Sequence, residues 1–84
     1  VEELADIFTS TTEASIDSLK HSIAEGQADL CRKEAHALRG AAASVMADAI
    51  QESAARIEAS AQRSDLACAA AELATLETRF RNRA

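Results

Sequence analysis

The feature that most constrains this chain is its near lack of helix-breaking residues. Proline is absent, and only two glycines occur among 84 residues. A quarter of the residues are alanine, which has the highest helix propensity of any residue. β-branched and aromatic residues never alternate with polar residues over a run, so the sequence contains no strand signal. We therefore predict one all-α domain, because a chain of this length leaves room for no second one.

Helix stop and start signals divide the chain into four predicted helices, at about 2–25, 29–44, 48–62 and 65–82. Gly26 is suited to end the first helix, because glycine readily takes the left-handed conformation found at helix C-termini. The next three helices have predicted N-caps whose side chains accept hydrogen bonds from free N–H groups. These caps are Asp29, Asp48 (with Gln51 in a capping box), and Ser64 or Asp65.

The links between these helices are only a few residues long. Short links force neighbouring helices to run antiparallel, so we predict an up-down-up-down four-helix bundle. The first residue is Val rather than Met, and we therefore expect the domain to be a piece of a longer chain.

Charge and composition exclude several classes of function. The formal net charge is −5, and only two aromatic residues occur. A nucleic-acid-binding domain typically has a basic surface and aromatic residues for stacking, so we expect no nucleic-acid partner. No apolar run approaches the roughly 20 residues that span a bilayer, so we expect no direct membrane contact. Two cysteines are too few for a disulfide framework, which favours a reduced, cytoplasmic domain.

The second predicted helix turns a histidine toward solvent. Its apolar stripe is centred on Cys31 and Leu38, and at about 100° per residue His36 falls roughly 140° from that centre. The same side of the helix carries two arginines and two small residues. These are Arg32, Arg39, Gly40 and Ala43. Helical spacing alone favours an inert surface histidine, so a pure interaction bundle stays open as the rival function.

These residue types suit phosphoryl chemistry. A neutral imidazole is a nucleophile near neutral pH, and histidine can form covalent intermediates. Arginine neutralises phosphoryl oxygens and can bind two of them at once. Gly40 costs up to about 1 kcal/mol relative to alanine in a helix interior, which indicates that another helix or a docking protein comes close there.

The segment 35–45 resembles the core motif of histidine-containing phosphotransfer (HPt) domains. That motif is roughly Ala-His-x-Leu-Lys-Gly followed by small residues, and here the segment is Ala-His-Ala-Leu-Arg-Gly-Ala-Ala-Ala-Ser-Val. The resemblance covers nearly the whole chain, because a helix with Phe8 and a short turn with Gly26 precede the motif. A helix with an Ile57-Glu58 pair and a last helix ending in Phe80 follow it.

The resemblance implies roles for individual residues. His36 corresponds to the histidine that is phosphorylated, usually on Nε2. Arg39 stands where the family usually has a lysine that neutralises the phosphoryl group, so the charge is kept. Gly40 corresponds to the glycine that leaves room for an incoming receiver domain. Arg32 and Ala43 lie on the same face, and we predict that they join the docking surface.

The resemblance also implies a function. HPt domains accept a phosphoryl group from a receiver-domain aspartate and pass it to the aspartate of another receiver, so response-regulator receivers are the expected partners. Such domains have no ATP-dependent activity and bind no cofactor or metal, because the receiver supplies Mg²⁺. In its small size and its Ala-Ala-x-Ser-Val segment the chain is most similar to the C-terminal module of hybrid sensor histidine kinases, and such a parent protein can lie in the inner membrane. The alternatives are the phosphotransfer domain of a chemotaxis kinase and a degenerate relative that only docks. We expect a monomer.

Two other positions carry expectations. Met46 stands where the family usually has a glycine in the turn after the histidine helix, so we predict a turn of different geometry. His21 is the rival histidine, but Asp17 and Glu25 flank it by one turn and would repel a phosphoryl group. The same three residues form a weak metal-ligand pattern.

The remaining polar and thiol residues have simpler predictions. Cys31 lies on the apolar stripe and should be a core residue, whereas Cys68 should be exposed on the outer face of the fourth helix. Four charged residues of the third segment are interpreted as a solvated face with local ion pairs. They are Glu52, Arg56, Glu58 and Arg63.

Overall fold

The computed structural model describes residues 2–82, with side chains from residue 10 onward. Its helices are α1 (Glu2–Ala24), α2 (Ala28–Ser44), α3 (Asp48–Gln62) and α4 (Leu66–Arg81). Each helix packs on the next along the chain, and α1 returns against α4. Residues 2–82 contain no strand, so the all-α four-helix bundle is confirmed. The helix bounds differ from the predicted ones by at most one residue at each end. No helix in this range is long and apolar enough to cross a bilayer.

The three turns share one geometry, although only one contains glycine. Gly26, Met46 and Ser64 each have a positive φ, of 69°, 59° and 58°. In every turn the N–H of this residue and the N–H of the next donate back to carbonyls in the last turn of the preceding helix, at 2.8–3.2 Å. This is the Schellman arrangement, which satisfies carbonyls that a helix end otherwise leaves free.

The predicted difference in the turn at Met46 is therefore wrong. The Met46 N–H donates to the Ala43 carbonyl at 3.2 Å, and the Ala47 N–H donates to the Ala42 carbonyl at 2.9 Å. Met46 adopts the left-handed conformation that glycine would take more easily, and its side chain is 84% exposed. The backbone accepts the steric cost because the two hydrogen bonds require this conformation.

The same geometry explains why two predicted caps are wrong. The residue after the left-handed one becomes the N-cap, and in the first two turns this is Gln27 and Ala47, neither of which caps with its side chain. Asp29 and Asp48 therefore lie inside the first turn of their helices, where an acidic side chain still suits the helix dipole. At the third turn an aspartate occupies the cap itself, and Asp65 accepts from the Cys68 N–H at 3.1 Å.

Large and small side chains alternate in the core. Among the described side chains, each helix contributes one fully buried Leu or Ile, namely Leu19, Leu38, Ile57 and Leu76. The other buried positions of α2 and α3 are mostly Ala, Ser or Cys, and these two helices make the most extensive contact in the bundle. Small residues let the backbones approach, so α2 and α3 form a firm pair on which the outward residues of α2 are displayed.

Candidate functional site

His36 lies in the middle of α2 on its outer face. Its side chain is 62% exposed, whereas Ala35 and Leu38 beside it are buried in the core. The structure therefore places this imidazole where a partner protein can reach it.

One ring nitrogen of His36 is held by the neighbouring helix. The Nδ1 atom lies 2.9 Å from Oε2 of Glu58 on α3. A carboxylate only accepts hydrogen bonds, so Nδ1 must carry the proton and donate it to Glu58. In the neutral ring this assignment leaves the lone pair on Nε2, and no described residue bonds that atom. The arrangement thus leaves a nucleophilic nitrogen without a hydrogen bond on a ring that is largely exposed.

Arg39 approaches the same pair from one turn along α2. Its Nη2 lies 3.2 Å from Nδ1 of His36, and its Nη1 lies 3.3 Å from Oε1 of Glu58. Arginine only donates, and Nδ1 has no lone pair left once its proton points at Glu58. The contact with His36 is therefore a close approach, and the attraction that holds Arg39 is its ion pair with Glu58.

Glu58 is the residue of this candidate site whose position the sequence interpretation missed. Its side chain is only 17% exposed rather than part of a solvated face. The Oε1 atom is fully buried and accepts no well-aligned hydrogen bond from the described residues, so Arg39 pairs with it through charge. The sequence did contain one signal for this contact. His36 and Glu58 lie at similar distances along the chain before and after the turn at Met46, so in antiparallel helices they come within about one helical turn of the same level.

The other predicted arginine does not reach the histidine in this structure. The guanidinium of Arg32 lies 3.2 Å from a carboxylate oxygen of Asp29, nearer the start of α2. Lys33 also faces Asp29, at 4.0 Å. Two cations of this helix are therefore paired with one carboxylate, and Arg39 is the cation beside the ring.

The small residues beyond His36 form an open strip. Gly40 and Ala43 are both exposed. A Cβ atom built on Gly40 would meet nothing within 4 Å among the described residues, so packing against them does not require glycine there. Of the two explanations that the sequence left open, approach by another molecule is the one that the structure favours.

The remaining candidates do not assemble into sites. His21 is exposed near the end of α1, and no group of three or more potential ligands among the described residues could hold a metal ion. Cys31 is fully buried, and burial, followed by the nearby Glu34 carboxylate, raises the pKa of its thiol above 9.0. Cys68 is half-buried rather than exposed, because its Sγ accepts from the Ser60 hydroxyl at 3.1 Å between α3 and α4.

Comparison with known proteins identifies the family. The structure defines a small four-helix bundle that displays a histidine on the outer face of α2. A family model of the Hpt domain matches residues 3–83, nearly the whole chain. The chain belongs to the Hpt domain family, which acts in the phosphorelays of two-component signalling and interacts there with receiver domains. Searches of curated proteins and of solved structures give no match.

Proposed function

We propose that His36 is the phosphoryl carrier of this domain. Its Nε2 accepts a phosphoryl group from the aspartyl phosphate of one receiver domain and passes it to the aspartate of another. The observation that carries the proposal is the hydrogen bond of 2.9 Å between Nδ1 and Glu58, because it directs the free lone pair to the exposed nitrogen.

Arg39 is the group proposed to neutralise the phosphoryl oxygens. Its side chain is 40% exposed and lies beside the ring, so its guanidinium needs only side-chain rotation to reach a phosphoryl group on Nε2. A guanidinium binds such oxygens through strong charge-assisted hydrogen bonds. Transfer of this kind depends mainly on positioning and charge stabilisation, so one nucleophile and one cation are a sufficient contribution from this chain.

Gly40 and Ala43 supply the proposed docking strip for the receiver. Neither residue presents a side chain beyond a methyl group, so a receiver can approach the backbone of α2 there. Arg32 is proposed at the rim, where it would have to leave Asp29 before it could contact a partner.

The receiver and this domain each contribute part of the transfer chemistry. The receiver supplies the aspartate and the Mg²⁺, and this chain supplies the histidine. The phosphotransfer module of a hybrid sensor histidine kinase is the parent that we infer, and its cytoplasmic location stays a prediction.

Label transfer from a phosphorylated receiver tests the proposal. The domain is mixed with a receiver carrying labelled aspartyl phosphate, and the chain is examined for label that is lost in acid and kept in base. We expect label on the native chain and on the His21→Gln variant, and none on His36→Gln. Label that persists on His36→Gln would show that the acceptor is another residue.

Two further outcomes separate the alternatives. A chain that binds receivers without becoming labelled is a docking module. A chain labelled by an ATP-dependent kinase domain, but not by any receiver, has the arrangement of chemotaxis kinases.

A further inference from the structure

The two oxygens of the Glu58 carboxylate contact two different side chains of α2, those of His36 and Arg39. Its Oε2 is 2.9 Å from Nδ1 of His36, and its Oε1 is 3.3 Å from Nη1 of Arg39. A side chain that served only the fold would not need to be placed between these two groups. We propose that Glu58 keeps the proton on Nδ1 after His36 has been phosphorylated, so that the phosphoryl group always leaves from a cationic ring. This inference rests on the proposed function.

The chemistry of the transfer shows why this proton matters. When Nε2 attacks phosphorus, the N–P bond forms as the aspartyl O–P bond breaks, and the aspartate leaves as a carboxylate. The ring keeps its Nδ1 proton and becomes cationic. In the next transfer a receiver carboxylate attacks phosphorus, the N–P bond breaks, and the ring leaves as neutral imidazole. Without the Nδ1 proton the leaving group would be an imidazolate anion, which leaves far more slowly.

The charges around the ring act in opposite directions. Arg39 lies 3.2 Å from Nδ1 and, as a cation, favours loss of the proton. Glu58 lies closer, accepts the proton in a hydrogen bond, and favours its retention. The next cations on α2, Arg32 and Lys33, are paired with Asp29. Among the described residues, Glu58 is the one anion bonded to the ring.

Phosphorylation should strengthen the effect of Glu58. A phosphoryl group on Nε2 offers Arg39 a second anion, and a guanidinium that turns to it moves away from Nδ1. The Glu58 carboxylate, only 17% exposed, then has the cationic ring as its counter-ion, and its partial burial makes that pairing stronger than it would be in water. Glu58 therefore acts as a positioning residue for a proton, and it does not touch the phosphoryl group itself.

The test is the pH profile of phosphoryl loss from His36. The domain is phosphorylated with phosphoramidate, a small-molecule phosphoryl donor, and transfer to a receiver is followed by ³¹P NMR across pH 6–10. The alkaline midpoint is the pH at which the transfer rate has dropped to half of its value at lower pH. In Glu58→Gln we expect this midpoint to fall by about one pH unit, as is typical when a hydrogen-bonded carboxylate is removed. The rate just above the new midpoint should then be up to about tenfold lower than in the native domain.

Two control variants make the result specific. Glu52→Gln removes the same charge from α3, but Glu52 is exposed and pairs with Arg56 at 2.7 Å, so its profile should match the native one. Arg39→Ala removes the opposing cation and should raise the midpoint. A Glu58→Gln profile that superimposes on the native one, or an equal shift in Glu52→Gln, would overturn the inference while labelled His36 still supports the proposed function. Failure of both phosphoramidate and receiver to label His36 would instead overturn the proposed function.

Discussion

Replacing Met46 with glycine should stabilise this domain. Met46 has a φ of 59° in the turn between α2 and α3, and a residue with a Cβ pays about 1–2 kcal/mol for the left-handed conformation. Its side chain is 84% exposed, so truncation sacrifices little buried area. Glycine also gives the unfolded chain more conformational freedom, which lowers the free energy of unfolding by about 0.4–1 kcal/mol. The difference is a gain of about 0.5–1 kcal/mol in the free energy of unfolding.

Urea and thermal unfolding, followed by circular dichroism, measure this gain. One kcal/mol corresponds to about 4–8 °C for a domain of this size, so we expect Met46→Gly to melt about 2–8 °C higher than the native domain. The slope of the free energy of unfolding against urea concentration should not change, because the surface exposed on unfolding is nearly the same.

Two companion variants separate backbone strain from loss of the side chain. Met46→Ala removes the exposed side chain but keeps a Cβ at positive φ, so its stability should stay near the native value. Gly26→Ala should lose about 1 kcal/mol or more, because a Cβ there meets nothing within 4 Å and the cost is conformational alone. Equal gains in Met46→Ala and Met46→Gly would refute the explanation by backbone strain.

Four other predictions follow from the site and the core. Arg39→Ala should slow phosphoryl transfer about 10- to 100-fold, the equivalent of one or two charge-assisted hydrogen bonds, in single-turnover assays. The free energy of unfolding of this variant should change by less than about 1 kcal/mol, since the ion pair between Arg39 and Glu58 is partly exposed. An unchanged transfer rate would remove the role proposed for Arg39. Gly40→Leu should raise the free energy of unfolding by up to about 1 kcal/mol, because leucine is the better helix former and the site is open. The same variant should weaken receiver binding in titrations. Unchanged tight binding would argue against docking on the strip formed by Gly40 and Ala43. A thiol reagent should modify Cys68 in the folded domain and Cys31 only on unfolding. Because burial raises the pKa of Cys31, the unfolded thiol ionises first, so stability should fall as pH rises above about 9; Cys31→Ala should lack that part of the pH dependence.

The helices of this domain follow from local sequence. The lack of proline, the glycine at position 26 and the apolar spacing of each segment locate the helices to within one residue. The outward direction of His36 follows from the same spacing, because a core stripe on one side of a helix fixes what the other side displays.

The turns could be predicted only in part, because their geometry is set by hydrogen bonds rather than by residue preference. Gly26 predicts a residue in the left-handed conformation, because glycine adopts it easily. Met46 and Ser64 adopt the same conformation although residues with a Cβ atom disfavour it. Once that conformation is known, the N-caps shift to the following residues, and the acidic residues at 29 and 48 become part of the first helical turn.

The contact between His36 and Glu58 depends on tertiary structure. Both residues have polar side chains that suit a solvated surface, and nothing in either helix alone indicates that they meet. The contact arises because small residues let α2 and α3 pack closely and because a three-residue turn fixes their relative level. A pairing of this kind is visible only when two helices are considered together.

The decisive measurement locates the phosphorus atom on the phosphorylated domain. The domain, labelled with ¹⁵N in its histidines, is phosphorylated by a receiver, and the coupling between ³¹P and the ring nitrogens identifies the bonded atom. We expect one phosphoryl group, on Nε2 of His36, with Nδ1 still carrying its proton. Phosphorus on Nδ1, on His21, or on neither histidine would contradict the role proposed for His36.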